Sequence, residues 1–100
     1  MTVYVDDMRM HARVGRLTAR WSHLMADTDQ ELHAFAAQLG LQRSWAQYPG
    51  TWKSHYDVTD AKRRRAIQMG ARPIEYGSQK SIAMLQRKRE LQHQPHGGLR

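Results

Sequence analysis

Carboxylate and imidazole side chains are the first candidates for chemistry in this chain. Asp6 and Asp7 are adjacent, Asp27 and Asp29 flank Thr28, and His23, His55 and Asp57 stand further along. Carboxylate oxygens suit Mg²⁺ or Mn²⁺, and imidazole nitrogens extend the donor set. Divalent-metal phosphodiesterases and nucleases use this mixture to activate water and hold phosphate oxygens. Metal ligands are therefore expected among Asp6, Asp7, His23, Asp27, His55 and Asp57, with Mg²⁺ or Mn²⁺ as the cofactor that reading requires. The Asp6-Asp7 pair points this way because neighbouring carboxylates repel and a turn needs only one of them. On a strand, His55 and Asp57 would share a face. Local roles compete with this chemistry. Asp27 or Thr28 can cap one helix and Asp57 another, while His23, inside an apolar run, can be a buried imidazole satisfied by a carboxylate or carbonyl. A site emerges if the fold brings His23 and His55 to Asp6 or Asp27.

A second constellation is aromatic and basic. Trp45, Tyr48, Trp52, Lys53, His55 and Tyr56 fall within twelve residues and lead into Lys62-Arg63-Arg64-Arg65, with Arg87, Lys88 and Arg89 further on. Bases stack on such rings at about 1–3 kcal/mol each, and Lys and Arg meet phosphates. A phosphate-bearing ligand, nucleic acid or nucleotide, is thus expected on Trp52, Lys53, His55, Tyr56, Lys62, Arg63, Arg64, Arg65, Lys88 and Arg89. The bland alternative is that the rings close a small core and the charges form a solvated helix face.

Charge balance supports the polyanion. The chain of 100 residues has 16 Lys and Arg against 9 Asp and Glu. Residues 1–50 hold five basic and five acidic side chains, residues 51–100 eleven and four, so the whole excess of +7 falls in the second half. Such asymmetry favours an anionic partner. Cys is absent, which excludes disulfides, thiolate zinc sites and cysteine nucleophiles. No long apolar run or secretory leader is visible, so a cytoplasmic protein without membrane contact is expected. So small a domain buries a modest share of its surface, which makes a homo-oligomer a standing expectation. A basic third helix bearing Ile82, Met84 and Leu85 also suits a third role, capture of a host protein.

The elements that must position these groups are short. Thr2–Val5 reads as a strand and residues 8–20 as a loop, ahead of a second strand at Trp21–Ala26. Thr28-x-x-Glu31 is a capping box, Leu32, Phe35, Ala36 and Leu39 make one apolar helix stripe, and Gly40 fits the C-terminal cap. Residues 41–46 suggest a third strand and Tyr48-Pro49-Gly50-Thr51 a turn. A second helix, capped by Asp57 or Thr59, reaches Met69. Its four successive cations sweep about 300° of the helix, so at least one must approach the core. Arg72–Tyr76 reads as a last strand with Pro73 at an edge, and Gly77-Ser78 opens a third helix anchored by Ile82 and Leu85. This alternation predicts a small single α/β domain over residues 1–91, about four short strands in a mixed, partly parallel sheet with about three helices, and a flexible tail at 92–100.

Several of these segments also occur together elsewhere. Tyr4-Val5-Asp6-Asp7, Ser22-His23-Leu24-Met25-Ala26-Asp27-Thr28, Glu31-Leu32-His33, Leu39-Gly40, His55-Tyr56-Asp57, Lys62-Arg63 and Gly70-Ala71 resemble the small phage and bacterial proteins, notably actinobacterial, called domain of unknown function 4031. The resemblance covers residues 1–76 and implies no activity.

Overall fold

The computed structural model describes residues 2–93. Its strands are β1 (Val3–Val5), β2 (Met10–Val14), β3 (Leu17–Ala26), β4 (Tyr56–Thr59) and β5 (Arg72–Pro73), and its helices α1 (Asp29–Gln38), α2 (Asp60–Gln68) and α3 (Gln79–His93). The strands form one mixed five-stranded sheet, antiparallel except for the β1–β5 pair, so the α/β class and mixed sheet hold. β3 is the spine. Leu24 lies between Val5 and Tyr56, and Trp21 between Met10 and Thr59, so β1 and β2 share one edge of β3 and β4 takes the other.

Strand alternation sorts side chains into two layers. Val3, Val5, Leu24, Ala26, Tyr56 and Val58 face α1 and α2, where Leu32, Ala36, Leu39 and Ala66 complete the larger core. Met25 and the half-buried Tyr4 face the opposite way and pack with Ile74, Met84 and Leu85, so α3 covers the second face. Thr28 caps α1 by accepting the Glu31 amide, and Thr59 caps α2 by accepting the Lys62 amide. Of the proposed caps, the threonines serve and Asp27 and Asp57 are left for other work. Gly40, at φ +89°, turns the chain out of α1, a left-handed conformation that L side chains resist.

Several expectations need correction. Residues 8–20 are not a loop. β2 and the first half of β3 make a hairpin arm closed by Gly15 and Arg16, with Gly15 at φ +62° as a Gly-first two-residue turn demands. On one face of the arm lie Met10, Ala12, Val14, Leu17, Ala19 and Trp21, and on the other His11, Arg13, Thr18 and Arg20. The alternation is present, but most of the arm is solvated on both faces, so no core contact signalled it. Residues 41–46 are not a strand either. Leu41 is buried and Arg43–Trp45 coil into a 3₁₀ turn, because Gln42, Arg43 and Ser44 offer no second inward apolar side chain. The missing strand is β4, immediately before α2. β5 stops at Pro73, which has no amide to donate, although Ile74 still bonds the Val5 carbonyl. α3 is anchored by Ser81, Met84 and Lys88, with Leu85 half-buried and Ile82 exposed. It continues through His93; the rest of the expected tail lies outside the described residues. Among the described residues no helix is long and apolar enough to cross a membrane.

Between β1 and β2 the chain bulges. Asp6 to Arg9, four residues, span the register that Ser22 and His23 span on β3. Asp6 is 2% exposed, and its Oδ1 accepts the amides of Met8 at 3.1 Å and His23 at 3.0 Å. Arg9, at φ +49°, gives its amide to Ser22 Oγ and its guanidinium to Asp60, the first residue of α2. The bulge is therefore pinned at both ends by side chains.

Candidate metal centre

His23 and Asp57 sit directly opposite one another in the β3–β4 register, and His55 lies two residues before Asp57 on the same face. All three point away from the larger core, toward α3. The two imidazoles meet edge to face with centroids 5.1 Å apart, and His55 Nε2 lies 3.5 Å from Asp57 Oδ1. One donor atom from each of the three residues falls within 4.8 Å of the others, a spacing a single ion can bridge.

The groups behind this triad fix which atoms it presents. His23 Nδ1 is 2.7 Å from Asp6 Oδ2, and His55 Nδ1 is 2.6 Å from the Lys53 carbonyl. A carboxylate and a carbonyl only accept, so each Nδ1 donates, and each ring has an Nε2 lone pair for an ion only in its neutral form. The protonated form of His55 instead gives its Nε2–H to Asp57 Oδ1 at 3.5 Å. Metal-binding histidines have this arrangement, the outer nitrogen tied to a carboxylate or backbone oxygen. Gln47 donates its side-chain amide to Asp57 Oδ2. The Asp6 hydrogen bond and charge, helped by Asp57, raise the His23 pKa above its ordinary value against the cost of burial. The His55 hydrogen bond and charge, with Gln47 and His23, hold Asp57 below the usual carboxylate range despite burial.

Above the triad opens a cavity of about 480 Å³. Met25, Ile82 and Leu85 form its apolar side, and Tyr48, Trp52 and Tyr76 its aromatic side. The Tyr76 ring stacks on His23 at 5.9 Å, and Tyr48 holds a left-handed backbone at φ +52° beside His55. Lys53 Nζ lies 5.4 Å from the Trp52 ring and 5.7 Å from Tyr48, while the Arg89 guanidinium lies 5.7 Å from Trp52. Two cations thus flank an indole at the cavity rim.

The fold brings some of the expected residues together and separates others. Of the proposed ligands, His23, His55 and Asp57 converge, and Asp6 orients His23. Asp7 is exposed and accepts the Tyr76 amide at 2.7 Å, which fixes a cavity wall. Asp27 lies at the far end of β3, bonded to the Thr2 amide, the Tyr4 hydroxyl and Arg87. Of the proposed anion-binding residues, Trp52, Lys53, His55 and Arg89 meet at the cavity. Tyr56 is buried on the other face of the sheet, with its hydroxyl 2.8 Å from His33 Nδ1. Lys62 Nζ donates to the Leu39 carbonyl and Arg63 Nε to the Asp6 carbonyl, both at 2.8 Å, so these two brace α1 and the bulge. Arg64 and Arg65 are exposed on α2. Lys88 is buried beside Asp29 and Asp27, and burial lowers its pKa. Sequence reasoning missed Tyr76 and the α3 wall, since nothing near Tyr76 marks it except the Gly77-Ser78 helix start.

The rim loop depends on Asp29. Asp29 Oδ2 accepts the Gly50 amide, and Ser54 Oγ lies beside it, short of a full hydrogen bond. Burial pushes the Asp29 carboxyl up, but Ser54, the Gly50 amide and the charges of His33 and Lys88 outweigh it and hold it below the usual range. A depressed folded pKa gives stability that is present above the unfolded value of about 3.9 and is lost as pH falls through the folded one. Acid is therefore expected to lower the melting temperature of the wild type more steeply below about pH 4 than that of Asp29→Asn. Parallel curves from thermal melts at stepped pH would remove this role.

Comparison with known proteins agrees with the resemblance noted above. The profile of the family described as protein of unknown function (DUF4031) matches residues 3–88, through most of α3, and the chain belongs to that family. No curated protein and no solved structure matches.

Proposed function

We propose, taking membership of this family as the premise, that the chain is a divalent-metal-dependent phosphodiesterase acting on a nucleotide-bearing substrate. The observation that carries the reading is the convergence of His23, His55 and Asp57, with both Nδ1 atoms already committed to acceptors. Two imidazoles and one carboxylate favour Mn²⁺ or Zn²⁺ over Mg²⁺, which prefers an all-oxygen shell. Three protein ligands leave positions open, as catalytic sites require. When bound, the ion supplies Lewis acidity to a phosphoryl oxygen and acidifies water. Water adds to phosphorus, the P–O ester bond breaks, and the leaving alkoxide takes up a proton.

The remaining work belongs to the chain's own residues. Asp6 and the Lys53 carbonyl hold the rings in register. Tyr76 offers a face for a base, and Lys53 and Arg89, which lie over the Trp52 ring, offer donors to phosphate. Met25, Ile82 and Leu85 limit water on the apolar side. Calorimetry with Mn²⁺ and Zn²⁺, paired with turnover of a panel of nucleotide phosphodiesters, tests the reading. His55→Ala and Asp57→Asn are expected to lose both. Absence of metal uptake, or turnover that survives these changes, overturns it. The two cations flanking Trp52 favour a second reading, nucleotide binding without hydrolysis. Uptake of nucleotide without turnover selects that one.

A further inference from the structure

We infer that the β2–β3 arm is a duplex-DNA-binding ribbon that docks its arginine face in the major groove, independently of the metal centre. Between Asp7 and Asp27 the chain carries four Arg and no carboxylate, a local excess that the neutral sum of the first half conceals. The register puts His11 opposite Arg20 and Arg13 opposite Thr18 on one face, with Arg16 in the turn. His11, Arg13, Arg16, Thr18 and Arg20 are all exposed. This face lies on the α1–α2 side of the sheet, and the basic surface continues onto the body there. Arg9, Arg64 and Arg20 all bear on Asp60, and Asp7 also bears on Arg9.

Shape and charge together select the occupant. A two-stranded ribbon fits the B-form major groove, whereas the deep, narrow major groove of A-form RNA shuts it out. Arg forks match guanine edges and phosphate oxygens. The other face of the arm, Met10, Ala12, Val14, Leu17, Ala19 and Trp21, bears no charge, so a polyanion has one side to take. Arg13 Nε donates to the Gly15 carbonyl, which stiffens the turn beneath the arginines.

The test uses the whole chain and a labelled DNA duplex, followed by fluorescence anisotropy across a salt series. Changing Arg13, Arg16 and Arg20 together to Ala is expected to weaken binding at least tenfold and to make the log K against log salt slope shallower by about 2 to 3. Arg16→Glu alone, in the exposed turn, is expected to weaken binding with unchanged circular dichroism. Lys53→Ala and His55→Ala are expected to leave duplex affinity unchanged, so this proposal and the metal-centre reading fail separately. No duplex binding by the wild type, unchanged binding in the triple variant, loss in the pocket variants, or an RNA duplex bound equally well would each overturn it.

Discussion

Asp6→Asn is expected to weaken Mn²⁺ or Zn²⁺ binding by about 10- to 100-fold with little change in fold. Asparagine keeps an oxygen where Asp6 Oδ1 accepts the Met8 and His23 amides, so the bulge retains its pins. The second atom changes from acceptor to donor. An NH₂ group facing His23 Nδ1 forces that nitrogen to accept, which moves the proton to Nε2 and takes away the lone pair the ion needs. Asp6→Ala should do more and different damage, because two part-buried amides then lose their acceptor as well. Calorimetry gives the affinity, and nitrogen chemical shifts of His23 report the tautomer directly. Unaltered affinity with a switched tautomer would remove His23 from the ligand set.

Leu24→Ala is expected to cost about 2–5 kcal/mol, a large part of the 5–15 kcal/mol that holds a typical domain together. Leu24 is fully buried and paired on both edges, with Val5 of β1 and Tyr56 of β4. Truncation there opens a cavity where β3 meets both neighbours and the layer of α1 and α2. The expected readout is a lower urea midpoint with an unchanged slope. A loss below 1 kcal/mol would show that the core closes over the gap.

What could be read in the chain follows from how local each signal is. α1 was legible because cap, stripe and terminating glycine all lie within its own residues, from Thr28 to Gly40. β4 was not, because Tyr56–Thr59 is four residues long and its last residue is also the cap of α2. The arm was hidden for a different reason: a ribbon exposed on both faces has alternation but no burial contrast. The candidate metal centre was half legible. The residue types were in view, and the shared face of His55 and Asp57 follows from strand geometry. That His23 pairs with Asp57, and that Asp27 lies elsewhere, depends on the β3–β4 register, which no local pattern encodes. Lys62 and Arg63 show the same limit from the other side. Their charges suggested a ligand surface, whereas their donors are given to the Leu39 and Asp6 carbonyls.

The offset between β1 and β2 has a reach well beyond its few residues. Four residues against two is an even surplus, so inward and outward phases agree before and after it. Shortening Asp7–Arg9 by one residue would leave an odd surplus, and because the Gly15-Arg16 turn fixes how β2 meets β3, the lost phase would fall on the bulge itself, where Asp6 holds His23. A single-codon deletion would thus disturb the groups behind His23 while every residue of the hairpin remained unchanged.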